Sequence, residues 1–147
     1  MNAPLYNTEI LRLAASIPNH ARLPDPMGSA EKRSPICGSR VTVDVAVDAE
    51  GRVSELGMLV RACALGQASA SLMGATVIGK SAEELATARD AVAAWLAGEG
   101  PVPEWPGVDV LTPALPHSAR HASIRLAFEA VAEAAERAVP KRLQEVR

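Results

Sequence analysis

Apolar residues recur at helical spacing at the start of the chain, at alternate positions in its middle, and at helical spacing again towards its end, a pattern that predicts helices flanking a small sheet. Ile10, Leu13, Ala14 and Ile17 share one face of a helix over 7–17, with Asn7 or Thr8 as N-cap and Pro18 as its stop. From Asn19 to Pro35 prolines recur and apolar residues are few, so this stretch reads as a loop or extended arm. Val41, Val43, Val45 and Val47 then alternate with Thr42, Asp44, Ala46 and Asp48, the pattern of a half-buried strand. Asp48-Ala49-Glu50-Gly51 is a turn, and Leu56, Met58 and Val60 mark a second strand, giving an antiparallel hairpin over about 40–61.

Small, helix-compatible residues follow from Cys63, predicting a helix over about 64–78 with Gly79 at its C-cap. Ser81 and Glu84 form a capping box that opens a helix over 82–97. Pro101, Pro103, Pro106, Pro113 and Pro116 exclude a long helix or a central strand from the segment 98–116. The last helix is expected over 118–138, where Leu126, Ala127, Val131 and Ala134 make an apolar stripe and Arg125/Glu129 and Glu133/Arg137 are i,i+4 pairs. The expected fold is α+β: a single domain over 1–147, with an antiparallel sheet of two to three strands and helices packed largely on one face.

Composition narrows the function. With 48% hydrophobic and only 3% aromatic residues, the core must be built from Ala, Val, Leu and Ile. The net charge is −2 and no basic block stands out, so nucleic acid is not an expected partner. The longest apolar runs fall far short of the ~20 residues that span a bilayer. The N-terminus carries Glu9 and Arg12 within a helical pattern and lacks the features of a secretory signal. A cytoplasmic protein is expected, and its two cysteines are then thiols or metal ligands rather than a disulfide.

Those cysteines are the candidate chemistry. Cys37 precedes the first strand of the hairpin, beside Gly38, and Cys63 stands where the second strand gives way to a helix. There unpaired N–H groups and the helix dipole favour thiolate. The hairpin brings both to one end of the sheet, and paired thiolates suit zinc, copper(I) or iron–sulfur chemistry. Spacing alone leaves two unrelated buried thiols as the alternative. Further donors are His117 and His121 near the start of the last helix, and His20 in the N-terminal loop. Ser69 and Ser71 lack a G-x-S-x-G setting and read as helix-packing residues rather than nucleophiles.

Cys37-Gly38-Ser39-Arg40-Val41-Thr42-Val43, followed by a hairpin and then Ala62-Cys63-Ala64-Leu65-Gly66-Gln67-Ala68-Ser69-Ala70-Ser71, resembles the U-type iron–sulfur cluster assembly scaffold family of IscU, SufU and NifU N-terminal-like proteins. Gly79-Lys80-Ser81 resembles that family's G-K-S turn, and the Pro-rich segment resembles the longer inter-helix region of its SufU-like branch. The resemblance implies a scaffold or carrier rather than an enzyme, holding iron, a [2Fe–2S] cluster or zinc. Its implied partners are a cysteine desulfurase and downstream carriers or apo-proteins. The alternatives are a SufU-like zinc-dependent sulfurtransferase and a degenerate member that binds no metal.

The family site combines three cysteines with an aspartate. The first two cysteines carry over to Cys37 and Cys63. Ser39 stands at the aspartate, and the third cysteine is missing. Aligning Leu126-Ala127-Phe128-Glu129-Ala130-Val131 with the family's L-A-W-x-A-L puts Ser123 at that position, whereas a two-residue shift puts His121 there. The implied ligands are Cys37 and Cys63, with His121 as the candidate third donor.

Overall fold

The structure, a computed structural model, describes residues 5–35 and 38–146, with side chains through Leu143. Its elements run α1 (Thr8–Ala15), β1 (Gly28–Arg33), β2 (Arg40–Val47), β3 (Val53–Arg61), α2 (Ala64–Thr76), α3 (Ala82–Leu96) and α4 (His121–Val146), with 3-10 helices at Val108–Ala114 and Ser118–Arg120. The fold is α+β, and the sheet is antiparallel in the order β1-β2-β3.

The sheet is positioned by its inward valines. Val41, Val43 and Val45 of β2 are fully buried, as are Met58 of β3 and Ile124, Ala127 and Val131 of α4. α4 packs along β1 and β2, α3 packs against α4, and α1 packs on α2. β1 lies inside the stretch expected to be a loop or arm. Its inward positions are Gly28, Ala30 and Lys32, which carry almost no hydrophobic signal, and the first two are small because α4 presses on the strand. A Cβ on Gly28 would fall 2.0 Å from the Ala134 carbonyl oxygen.

The outer face is covered in part by residues 18–27. Asp44 points outward from β2 yet is wholly buried, because Arg22 (Nε–Oδ2 2.5 Å), the Ser29 hydroxyl (2.6 Å) and the Leu23 N–H (3.1 Å) all donate to its carboxylate. The same arm caps the free edge of β3. Met58 N donates to Asn19 O at 3.0 Å and Val60 N to His20 Nε2 at 3.2 Å, which closes an edge otherwise open to pairing.

Local capping sets the helix starts. Asn7 Oδ1 accepts from Ile10 N at the head of α1, and Ser81 and Glu84 form a reciprocal capping box at the head of α3. Gly79, with φ 91°, lies beyond the Val77 C-cap of α2 and donates to Val53 O, turning the chain back towards the sheet. The Pro-rich segment is not structureless. Trp105 anchors it by donating Nε1–H to Leu72 O at 2.7 Å and meeting Phe128 edge-on at 5.4 Å. α4 runs through Pro140 to Val146, beyond the expected end at 138.

Candidate functional site

Cys63 is the N-cap of α2. Its backbone is extended (φ −66°, ψ 171°), its side chain makes no capping hydrogen bond, and it is half-buried. The thiol therefore stands beside the free N–H groups of the first turn, the electropositive end of a 13-residue helix.

One hydroxyl meets the thiol, and a second meets that hydroxyl. Ser123, in the first turn of α4, brings Oγ to 3.3 Å from Cys63 Sγ, and its other neighbour is Ser39 Oγ at 3.2 Å. Both serines are almost completely buried. Gly66, on the first turn of α2, makes this approach possible, since a Cβ there would lie 2.4 Å from Ser123 Oγ. Ser39 is fixed by the ends of its loop: Ser34 N donates to Ser39 O at 2.8 Å and Gly38, with φ 73°, donates to Ser34 O at 3.1 Å. The site thus joins the β1–β2 connection, the β3–α2 junction and the head of α4. Cys37 lies outside the described residues; along the chain it is two residues before Ser39.

His121 is placed differently. Its Nε2 lies 3.0 Å from Ala114 O and 3.1 Å from Leu115 O, and its ring is buried. Carbonyl oxygens only accept, so Nε2 donates to them. The ring ties the end of the Pro-rich segment to the start of α4. His20 is also engaged, accepting at Nε2 from Val60 N, while His117 is exposed. Ser69 and Ser71 face backbone: Ser69 Oγ donates to Ile124 O at 2.7 Å, and Ser71 Oγ donates to Leu13 O. Among the described residues no three of His, Cys, Asp and Glu converge on one point.

The cluster of Ser39, Cys63 and Ser123 has a chemical character that can be stated from these contacts. Sγ is the soft donor present, and the hydroxyls can hydrogen-bond a thiolate or a sulfur bound to it, but as neutral oxygens they are poor metal donors. The sequence offered both Ser39 and Ser123 through their positions in the family pattern. Their direct contact depends on how α4 lands on the start of β2.

A half-buried thiol capping the helix after an antiparallel hairpin, with a long helix laid across the sheet, defines a small α+β thiol domain. The NifU-like N-terminal domain family matches residues 5–139, and the chain belongs to that family. Among solved structures, the N-terminal part of a NifU-like protein described as nitrogen-fixing, from Brucella abortus, is similar at 40% identity and a TM-score of 0.87, covering 93% of this chain and 96% of that one. A candidate iron–sulfur cluster assembly scaffold protein of the SUF system, from Fervidobacterium islandicum AW-1, shares the fold at 18% identity and a TM-score of 0.81, covering 89% and 96%. No curated protein matched the sequence. No helix among the described residues is long and apolar enough to cross a membrane.

Proposed function

We propose that this chain is an iron–sulfur cluster assembly scaffold or carrier, holding iron–sulfur cargo through the thiolates of Cys37 and Cys63. The observation that carries the reading is the placement of Cys63 at the head of α2, uncapped and facing Ser123, which in turn meets Ser39, in a chain of the NifU-like N-terminal family. Sulfide-bridged iron is usually held by four thiolates. This chain has two cysteines, so it supplies half of such a set and leaves the rest to a partner, a second copy or exogenous thiol. Cargo held this way is loosely bound and easily passed on, which suits transfer better than storage.

A cysteine desulfurase as sulfur source and carriers or apo-proteins as recipients belong to the same reading, as does a cytoplasmic setting that keeps both thiols reduced. Resident zinc fits less well. A closed zinc site needs four donors, and the hydroxyls of Ser39 and Ser123 are weak ones. His121 can enter any ligand set only through Nδ1, since Nε2 is held by two carbonyls.

The test is iron, zinc and acid-labile sulfide content after anaerobic purification and reconstitution, for wild type, Cys37→Ala, Cys63→Ala and His121→Ala. Iron and sulfide in the wild type, lost in both cysteine variants, is the expected result. Loss in His121→Ala with the fold intact adds Nδ1 to the ligands, and retention restricts His121 to packing. Stoichiometric zinc without sulfide would replace this reading with that of a zinc-dependent sulfur acceptor.

A further inference from the structure

The antiparallel register places Arg33 of β1 opposite Arg40 of β2, and Arg40 opposite Arg61 of β3. Residues directly opposite in a sheet project from the same face, and these three project away from α4, since the alternate positions Lys32, Val41 and Val60 form the inward row. Like charges placed directly opposite one another destabilise a sheet. A single carboxylate answers them. Glu31 bonds Arg33 Nε at 2.8 Å and approaches Arg40 Nε at 3.7 Å, while the Arg61 guanidinium has no ion-pair partner among the described residues. Two positive charges remain in excess, on a chain whose net charge is −2.

The position of this row is informative. It is the last rung of the sheet before both connections that carry cysteines, with Arg33 and Arg40 flanking the β1–β2 connection and Arg61 two residues before Cys63. An open cavity of about 560 Å³ lies there, lined by Arg33, Ser34, Pro35, Gly38, Arg40 and Arg61. On the next rung of the same face, paired through Thr42 to Glu31, is Leu59, which is 44% exposed. Further along, Asp44 and the arm bearing Arg22 close the face. The exposed part is thus a row of guanidiniums with Glu31, Thr42 and Leu59 beside it.

We propose that this rung is a docking site for an extended acidic segment of a protein partner, brought there to act at the adjacent thiol. Strands lie about 4.8 Å apart, so three neighbouring arginines present a row roughly 10 Å long. One small anion cannot span that row, whereas carboxylates at i and i+2 of an extended peptide, about 6.8 Å apart, meet guanidiniums along it in the forked geometry that arginine favours. Leu59 supplies an apolar contact beside the charges. The strain of three opposed cations in the free protein is relieved when the partner binds. The proposal rests on the scaffold reading only for what the partner does, not for the docking itself.

The probe is a fluorescein-labelled hexaglutamate peptide titrated with wild type, with Arg33→Glu/Arg61→Glu, and with Arg12→Glu on α1 as a charge control. Wild type binds, more weakly as salt rises. The double variant weakens binding by about tenfold or more, through like-charge repulsion. Arg12→Glu behaves as wild type. Circular dichroism checks the fold, and iron and sulfide content of the double variant equals wild type, which separates docking from loading. No binding by the wild type, or binding that survives the double reversal, overturns the proposal. So does displacement by equimolar inorganic phosphate, which would mark a small-anion site, or tighter binding of oligouridylate, which would mark a nucleic-acid face. A wild type that loads no iron would sink the scaffold reading and leave this titration fully readable.

Discussion

Ser123, one of the two residues that the resemblance offers for the family's third thiol, faces Cys63 at 3.3 Å. His121 and Ser123 were both open for that place in the sequence. The helix decides between their directions: two residues of α-helix turn a side chain by about 200°, so with Ser123 on Cys63, His121 is carried round to the carbonyls of Ala114 and Leu115. The other informative residue is Asp44. Burial pushes its carboxyl upward, but the Arg22 ion pair, the Ser29 hydroxyl and the Leu23 N–H outweigh burial and hold it below the ordinary 3.8. A carboxylate depressed in the folded state contributes stability above its unfolded pKa and loses it as pH falls through the folded value. Arg22→Ala should therefore cost about 1.5–3 kcal/mol at neutral pH, the range for hydrogen bonds to charged groups. That difference should narrow as pH drops below 3.8 and Asp44 becomes neutral in both proteins. Urea melts of the pair across acid pH would show it, and a gap independent of pH would contradict it.

Among the elements, β2 and β3 were legible because their inward positions are Val, Leu and Met at period two. β1 was not, because its inward residues are Gly28, Ala30 and Lys32 and the rest of Gly28–Arg33 is polar. A strand pressed against a helix needs small side chains, and small side chains leave little hydrophobic pattern to read. Gly28→Ala tests this directly. With Ala134 O 2.0 Å and Ala138 N 2.8 Å from the new Cβ, backbone must move, and overpacking of this kind costs about 1–3 kcal/mol. The thermal midpoint should fall by several degrees. An unchanged midpoint would mean that α4 does not seat on β1 as described. Register was equally hidden: Arg33, Arg40 and Arg61 are scattered in sequence and become a row only when β1, β2 and β3 pair.

For the molecule as a whole, the α+β class and the family were legible from the hairpin pattern and from the segments around Cys37 and Cys63. How the parts meet was not. The burial of Asp44, the closure of the β3 edge by Asn19 and His20, and the anchoring of the Pro-rich segment by Trp105 are all contacts between distant stretches. The central claim is that two thiolates hold iron–sulfur cargo in a site where a serine stands for the third. The most direct measurement follows iron and sulfide loss to a chelator after anaerobic reconstitution, for wild type beside Ser123→Cys. The account predicts that the wild type is loaded but stripped quickly, and that the added thiol beside Cys63 slows stripping by about tenfold, a gain near 1.4 kcal/mol. Two proteins that both emerge from reconstitution without iron or sulfide would contradict it.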